Sequence, residues 1–146
     1  MALIELIYVS VATEQMFDFE LRRILESAVR HNEEDEITGL LLYSKGSFMQ
    51  VLEGERGAVE AAVARIEKDP RHKNLQVIAR AEITKRGFSK WSMGFHGVTA
   101  ADAASWPGFA PFFQNGFDAD SIAAKPGIAL EILKAFAKGE IEVNPG

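Results

Sequence analysis

Apolar and polar positions change period several times along the chain, and each change marks a predicted element. Residues 3–10 (LIELIYVS) are rich in β-branched and aromatic types, which predicts a buried strand. Residues 13–16 form a polar break. From Asp18, a suitable N-cap, Leu21, Ile24, Leu25, Ala28 and Val29 recur at helical spacing. This helix is expected to fray near His31 and Asn32, because Glu33, Glu34 and Asp35 put negative charge at its negative end. Residues 37–43 and 47–53 read as a second and third strand. Ser44, Lys45 and Gly46 supply the hairpin turn between them, with Gly46 free to take a positive φ. In the third strand Phe48, Gln50 and Leu52 share one face, and Met49 and Val51 the other. Val59, Ala62, Val63 and Ile66 predict a second helix that stops near Asp69-Pro70. Residues 75–83 alternate as a fourth strand, and Trp91, Met93 and Phe95 as a fifth.

The predicted order is β-α-β-β-α-β-β. Its first six elements match a ferredoxin-like core, an α+β fold with both helices on one sheet face. After Val98 the composition shifts to small residues and then to Trp106, Phe109, Phe112, Phe113 and Phe117. Ile128, Ile132, Leu133 and Phe136 make a last helical stripe behind Pro126. Apolar residues at that density need cover. Residues 1–98 are therefore expected to form the sheet domain. Residues 99–146 are expected to form a helical extension packed on the face that the first two helices leave bare.

Composition narrows the function. The 146 residues are 47% hydrophobic and 25% charged, the balance of one globular domain. A net charge of −5 argues against a broad grip on nucleic acid or anionic lipid. No apolar run approaches the roughly 20 residues of a membrane span. The start MALIELIYVS is interrupted by Glu5 and reads as a strand rather than a signal peptide. There is no cysteine, which removes disulfides, thiolate metal sites and thiol–cofactor adducts. A cytoplasmic location is expected.

Candidate chemistry starts at Gln50, a polar residue between Phe48 and Leu52 on an inward face. A buried amide left unpaired costs roughly 1–3 kcal/mol. In a ferredoxin-like sheet the first and third strands are neighbours, so Tyr8 can lie beside it, and a structural Tyr–Gln hydrogen bond explains both residues. His31 and Asn32 fit a polar helix end. Arg65 and Asp69, four apart, fit a surface ion pair worth a few tenths of a kcal/mol, followed by Arg71 and His72. His31, His72 and His96 lack metal-ligand spacing, so no metal is expected. Phosphate-loop, dinucleotide-binding and serine-hydrolase motifs do not occur. Together, the helix ends and the two central strands bring Tyr, Gln, Asn, His, Arg and Asp toward one groove, the usual form of a small-molecule site.

LIYVSVAT, ITGLLLY, FMQVLEG, RIEKDPRH and FSKWSMGF resemble the successive blocks of a BLUF domain, a blue-light sensor that uses FAD. The resemblance runs from about residue 3 to 97. It implies a non-covalent flavin between the two helices, usually FAD, with FMN or riboflavin as alternatives. By resemblance, Tyr8 is the electron donor to the excited flavin and Gln50 the relay at its polar edge. Asn32 and His31 would hold the pyrimidine side. Arg65, Asp69, Arg71 and His72 would face the C2 carbonyl and the ribityl phosphate. Ser10, Ile24, Leu25, Ile37, Leu41, Phe48 and Ile66 would shape the slot. Trp91 and Met93 match the fifth-strand positions that report the state of Gln50. Two positions depart from the commonest pattern: Glu36 stands where Gly often precedes ITG, and His31 where some relatives have Asn.

The implied function is reversible photosensing without catalytic turnover. The other common flavin photosensor mechanism needs a thiol, which this chain lacks. About 50 residues beyond the slot leave no room for a fused output domain, so a homo-oligomer or a separate response protein is the expected partner. The alternatives are an acylphosphatase-like hydrolase or a ligand-binding regulatory module. The first would need an Arg in the first strand–helix loop, and VATEQM has none.

Overall fold

The computed structural model describes residues 2–14, 18–89, 94–98 and 116–138, with 102, 104, 108, 109 and 112. Its elements are β1 (Leu3–Ala12), α1 (Asp18–Asp35), β2 (Thr38–Ser44), β3 (Ser47–Glu55), α2 (Arg56–Glu67), β4 (His72–Ile83), β5 (Gly94–Gly97), α3 (Ala119–Ala124) and α4 (Pro126–Lys138). The sheet order is β4-β1-β3-β2-β5. Neighbours are antiparallel except β5, which runs parallel to β2. This is the expected ferredoxin-like core with a fifth strand added beside β2.

Side chains of the central strands alternate between two cores, as a period of two requires. Leu6, Tyr8, Phe48 and Leu52 face α1 and α2, where they pack with Leu21, Ile24, Leu25, Val59 and Val63. Ile7, Val9, Met49 and Val51 face the other way, onto Ile122, Ala129, Ile132, Leu133 and Phe136 of α3 and α4. The tail thus covers the face left bare by the first two helices. Phe117 is buried there, and Phe109 and Phe112 pack at its margin. Trp106 and Phe113, also expected in this layer, lie outside the described residues. The tail docks on the β2–β3 turn at Gly116, whose φ is +85°. A Cβ there would meet Ser47 Oγ at 2.8 Å. That Oγ also accepts the Phe117 N–H.

The first helix corrects one expectation. It does not fray at His31 but runs to Asp35. It closes through a bond from the Ile37 N–H to the Asn32 carbonyl at 2.9 Å, with Glu36 left-handed at φ +55°. This is a Schellman closure with Glu36 where glycine is usual. The closing bond, and burial of Ile37 beyond it, outweigh the unfavourable acidic end. Glu36→Gly is therefore expected to stabilise the fold by about 0.5–1 kcal/mol, through relief of the left-handed penalty and loss of one charge. Chemical denaturation checks it, and an unchanged or lower midpoint counts against it.

The second helix ends at Glu67, so Asp69 lies beyond it. The expected Arg65–Asp69 pair does not form. Arg65 approaches Asp35 at 4.0 Å, while Asp69 pairs with Arg71. Asp69 instead caps the turn into β4, where its side chain accepts the Arg71 backbone N–H at 2.9 Å.

Candidate functional site

A cleft with ≈ 490 Å³ of empty space, mouth included, opens between α1, α2 and the sheet. Strand pairing builds its floor. β1 and β3 are adjacent, with Tyr8 directly opposite Gln50 and Leu41 on Gln50's other side. Tyr8 is 1% exposed and Gln50 3%. The Tyr8 hydroxyl donates to Gln50 Oε1. Burial first, and the nearby Asp69 charge second, hold the Tyr8 phenol above its ordinary range, so it keeps its proton in the resting state.

The walls are apolar: Ile24 and Ala28 from α1, Ile66 from α2, Leu41 and Leu52 from the sheet. Asn32, buried near the end of α1, supplies a second amide. Arg65, Asp69, Arg71 and His72 edge the cleft. Asp69 takes a bidentate grip from Arg71, with Nη2 to Oδ2 at 2.6 Å and Nε to Oδ1 at 2.9 Å. These bonds hold the Asp69 carboxyl below the ordinary range despite burial. Burial pushes the His72 imidazole down. The Asp69 charge opposes that shift and Arg71 adds to it. His72 Nδ1 lies 2.9 Å from Ser10 Oγ, and its ring packs at 4.6 Å from Phe48 and edge-on to Tyr8 at 6.5 Å.

The expected site residues separate into two groups. Tyr8, Gln50, Ile24, Asn32, Leu41, Arg65, Ile66, Asp69, Arg71 and His72 border the cleft together. Ser10, Leu25, Ile37 and Phe48 are buried around it, with Ser10 and Phe48 supporting His72. His31 Nδ1 lies 2.9 Å from the Ser27 carbonyl one turn back, inside a helix that continues to Asp35, and His31 is not among the residues that line the cleft. Trp91 and Met93 lie outside the described residues. Sequence reasoning missed Ser27, Ala28 and Leu52 as lining residues. The signal was present, since Ala28 is four residues after Ile24 and Leu52 two after Gln50.

The cleft suits a flat, amphipathic ring. Small Ser27 and Ala28 leave room beside α1. The amides of Asn32 and Gln50 each offer a donor and an acceptor, and Arg65 offers donors to a carbonyl. That donor set fits the alternating carbonyl and N–H edge of a flavin. Among the described residues no cluster of His, Asp or Glu could hold a metal ion. Nor is any described helix long and apolar enough to cross a membrane.

A ferredoxin-like sheet with a buried phenol–amide pair on the floor of such a cleft defines a small-cofactor-binding module. Its family follows from comparison. The model of the family described as sensors of blue-light using FAD matches residues 3–94. The chain therefore belongs to the BLUF family, whose domains bind flavin and sense blue light. Photoactivated adenylate cyclase subunit beta of Euglena gracilis is 38% identical over 89 residues, covering 60% of this chain and 10% of that protein. The alpha subunit from the same organism is 42% identical over 84 residues, covering 58% and 8%. The chain thus spans about a tenth of the length of these curated relatives. Among solved structures, the ground state of BlsA superposes with a TM-score of 0.69 at 30% identity, covering 77% of this chain and 76% of that one. The dark state of BlrB, a BLUF protein, gives 0.77 at 24% identity over 94% and 97%, a likeness of fold.

Proposed function

We propose that the protein is a blue-light photoreceptor, without catalytic turnover, in which Tyr8 and Gln50 form a reversible switch. The reading rests on one observation: the Tyr8 hydroxyl donates to a buried Gln50 on the floor of the cleft. A flavin bound there, FAD in the first instance, supplies a strong one-electron oxidant when it absorbs blue light. Tyr8 gives up the electron, and its phenolic proton then becomes acidic. Gln50 already accepts that proton's hydrogen bond, so it would take the proton when Tyr8 is oxidised and return one to the Tyr8 oxygen when the electron comes back. With electron and proton back on Tyr8, the Gln50 amide would be left in a different hydrogen-bonded pattern. A buried amide has few satisfied arrangements, which favours two discrete states over a continuum.

Asn32 orients the ring from α1, Arg65 faces its carbonyl side, and the Asp69–Arg71 pair fixes the mouth. The switch lies within residues 1–98, and residues 99–146 are the extension that receives its signal. By family resemblance, Trp91 and Met93, just ahead of the fifth strand in sequence, report the state of Gln50. The output goes to a second copy or to a response protein in the cytoplasm. The absence of cysteine and of a membrane-spanning helix among the described residues supports that setting. The Euglena relatives, of which this chain spans about a tenth, are named as photoactivated adenylate cyclases.

One absorbance measurement tests the core of this reading. The purified protein should be yellow, and blue light should shift its visible bands to the red, with recovery in darkness. Gln50→Leu should stay yellow and show no such shift. A colourless protein, or a full shift in that variant, rejects the switch.

A further inference from the structure

Glu53 is fully buried although it carries a carboxylate. It follows Gln50 by three residues on β3 and, by strand alternation, faces away from the cleft. Its Oε1 accepts from Thr38 Oγ1 and from the Phe88 N–H, each at 3.0 Å. Its Oε2 accepts from the Gly87 N–H at 2.7 Å. Arg86 Nη1 donates to the Glu53 carbonyl at 3.1 Å and to Thr38 Oγ1 at 3.0 Å. Side chain and backbone of one residue therefore hold three consecutive residues of the irregular stretch after β4. Phe88, at the end of that stretch, is 1% exposed and sits in the core beneath α3 and α4. Glu5 lies opposite Glu53 on β1. Burial first, then the Glu53 charge, raises the Glu5 carboxyl above its ordinary range, against the pull of Lys134.

We propose that Glu53 is a positioning residue of the signal path: it ties residues 86–88 to the strand that carries Gln50 and makes Phe88 the fixed point from which the chain enters β5. The inference rests on the reading of Gln50 as the light-driven switch. A displacement of β3 at Gln50 reaches Glu53 through a continuous strand. Without the carboxylate, residues 86–88 keep the Arg86 bond to the Glu53 carbonyl and the packing of Phe88 but lose the bonds from Gly87 and Phe88, and they can absorb that displacement. With it, the movement passes to β5 and to the tail helices packed behind.

The test uses the full flavin-loaded chain, wild type and Glu53→Gln, in darkness and under blue light. The glutamine keeps the shape but turns an N–H toward donors that need an acceptor. Absorbance reports the switch. Hydrogen exchange at residues 87, 88 and 94–98 reports the anchor and its consequence. In the variant, the red shift should keep its wild-type size. The Gly87 and Phe88 amides should exchange about tenfold faster in the dark, the scale of one charge-assisted hydrogen bond. The light-minus-dark difference at residues 94–98 should shrink severalfold. A full difference there, despite loosened amides, overturns the positioning role. Unchanged exchange at 87 and 88 overturns the anchor itself. A wild type without any red shift overturns the Gln50 reading instead, and is seen before the variant is compared. Thr38→Val removes one donor from the carboxylate and the Arg86 contact. It should reproduce the pattern at smaller size if Glu53→Gln does not fold, and the same contrary outcomes overturn the inference there.

Discussion

Tyr8→Phe should bind flavin, stay yellow and lose its reversible red shift. The ring that forms part of the cleft floor is kept, so the shape of the slot survives. What disappears is the hydroxyl, and with it both the readily oxidised phenol and the proton aimed at Gln50 Oε1. The expected loss is complete rather than graded, because no described cleft residue offers a second phenol. Tyr43, the chain's other tyrosine, packs instead on Phe48 at 5.1 Å and is absent from the cleft lining. Stability should fall by about 1–2 kcal/mol, as Gln50 loses a buried hydrogen-bond donor. Because the folded protein holds the Tyr8 phenol far above its ordinary range, mild alkali cannot mimic the substitution. Spectra before and after illumination decide the matter. A normal photocycle in Tyr8→Phe would reject Tyr8 as the electron donor, whatever the fate of Gln50.

The phenol–amide pair was legible in the sequence because two simple rules meet there. Alternation puts Gln50 on the face of Phe48 and Leu52, and ferredoxin-like strand order puts Tyr8 beside it. The same alternation assigned Met49 and Val51 to the opposite core, and the helical stripe of Ile132, Leu133 and Phe136 supplied its cover. Features that depend on single backbone angles or distant partners were not legible. The acidic run at 33–35 argued for an early end to α1, whereas the left-handed turn at Glu36, where Gly often stands, sets the end at Asp35. The Asp69–Arg71 grip replaced the regular i,i+4 pair because α2 stops at Glu67, which frees Asp69 to turn toward β4. Glu53 reads in sequence as the polar end of a strand. Only the return of residues 86–88, more than thirty positions on, shows it as a buried acceptor.

The two faces of the sheet therefore carry different tasks through one set of strands. Gln50 on β3 lines the cleft, while Met49 and Val51, its neighbours in sequence, belong to the tail-facing core. A rearrangement of the amide has a short route to the tail, through a strand one residue thick. The tail must then be firmly seated, since a loose cover would move without a signal.

Phe136→Ala measures that seating. Phe136 is fully buried, among Ile132 and Leu133 of its own helix and the sheet residues of the tail-facing core. Its ring packs at 4.9 Å from His96 on β5. Truncating a buried Phe costs about 3–5 kcal/mol, as lost transfer free energy and a residual cavity. Against a typical total of about 5–15 kcal/mol, that is a large share. The melting temperature should drop by roughly 10 °C, at about 2–4 °C per kcal/mol for a chain of this size. At low temperature the red shift should persist at full size, because Tyr8 and Gln50 are on the other face. A chain cut after Val98 should fare worse. It uncovers Ile7, Val9, Leu40, Leu42, Met49 and Val51 at once, an apolar patch that drives self-association and should appear as a larger species on size-exclusion chromatography. If Phe136→Ala melted within a degree or two of the wild type and the cut chain formed no larger assembly than the full chain does, α4 would be an appendage. If both effects appear, the extension is structurally part of the sensor, and any signal that passes through it must work against its packing.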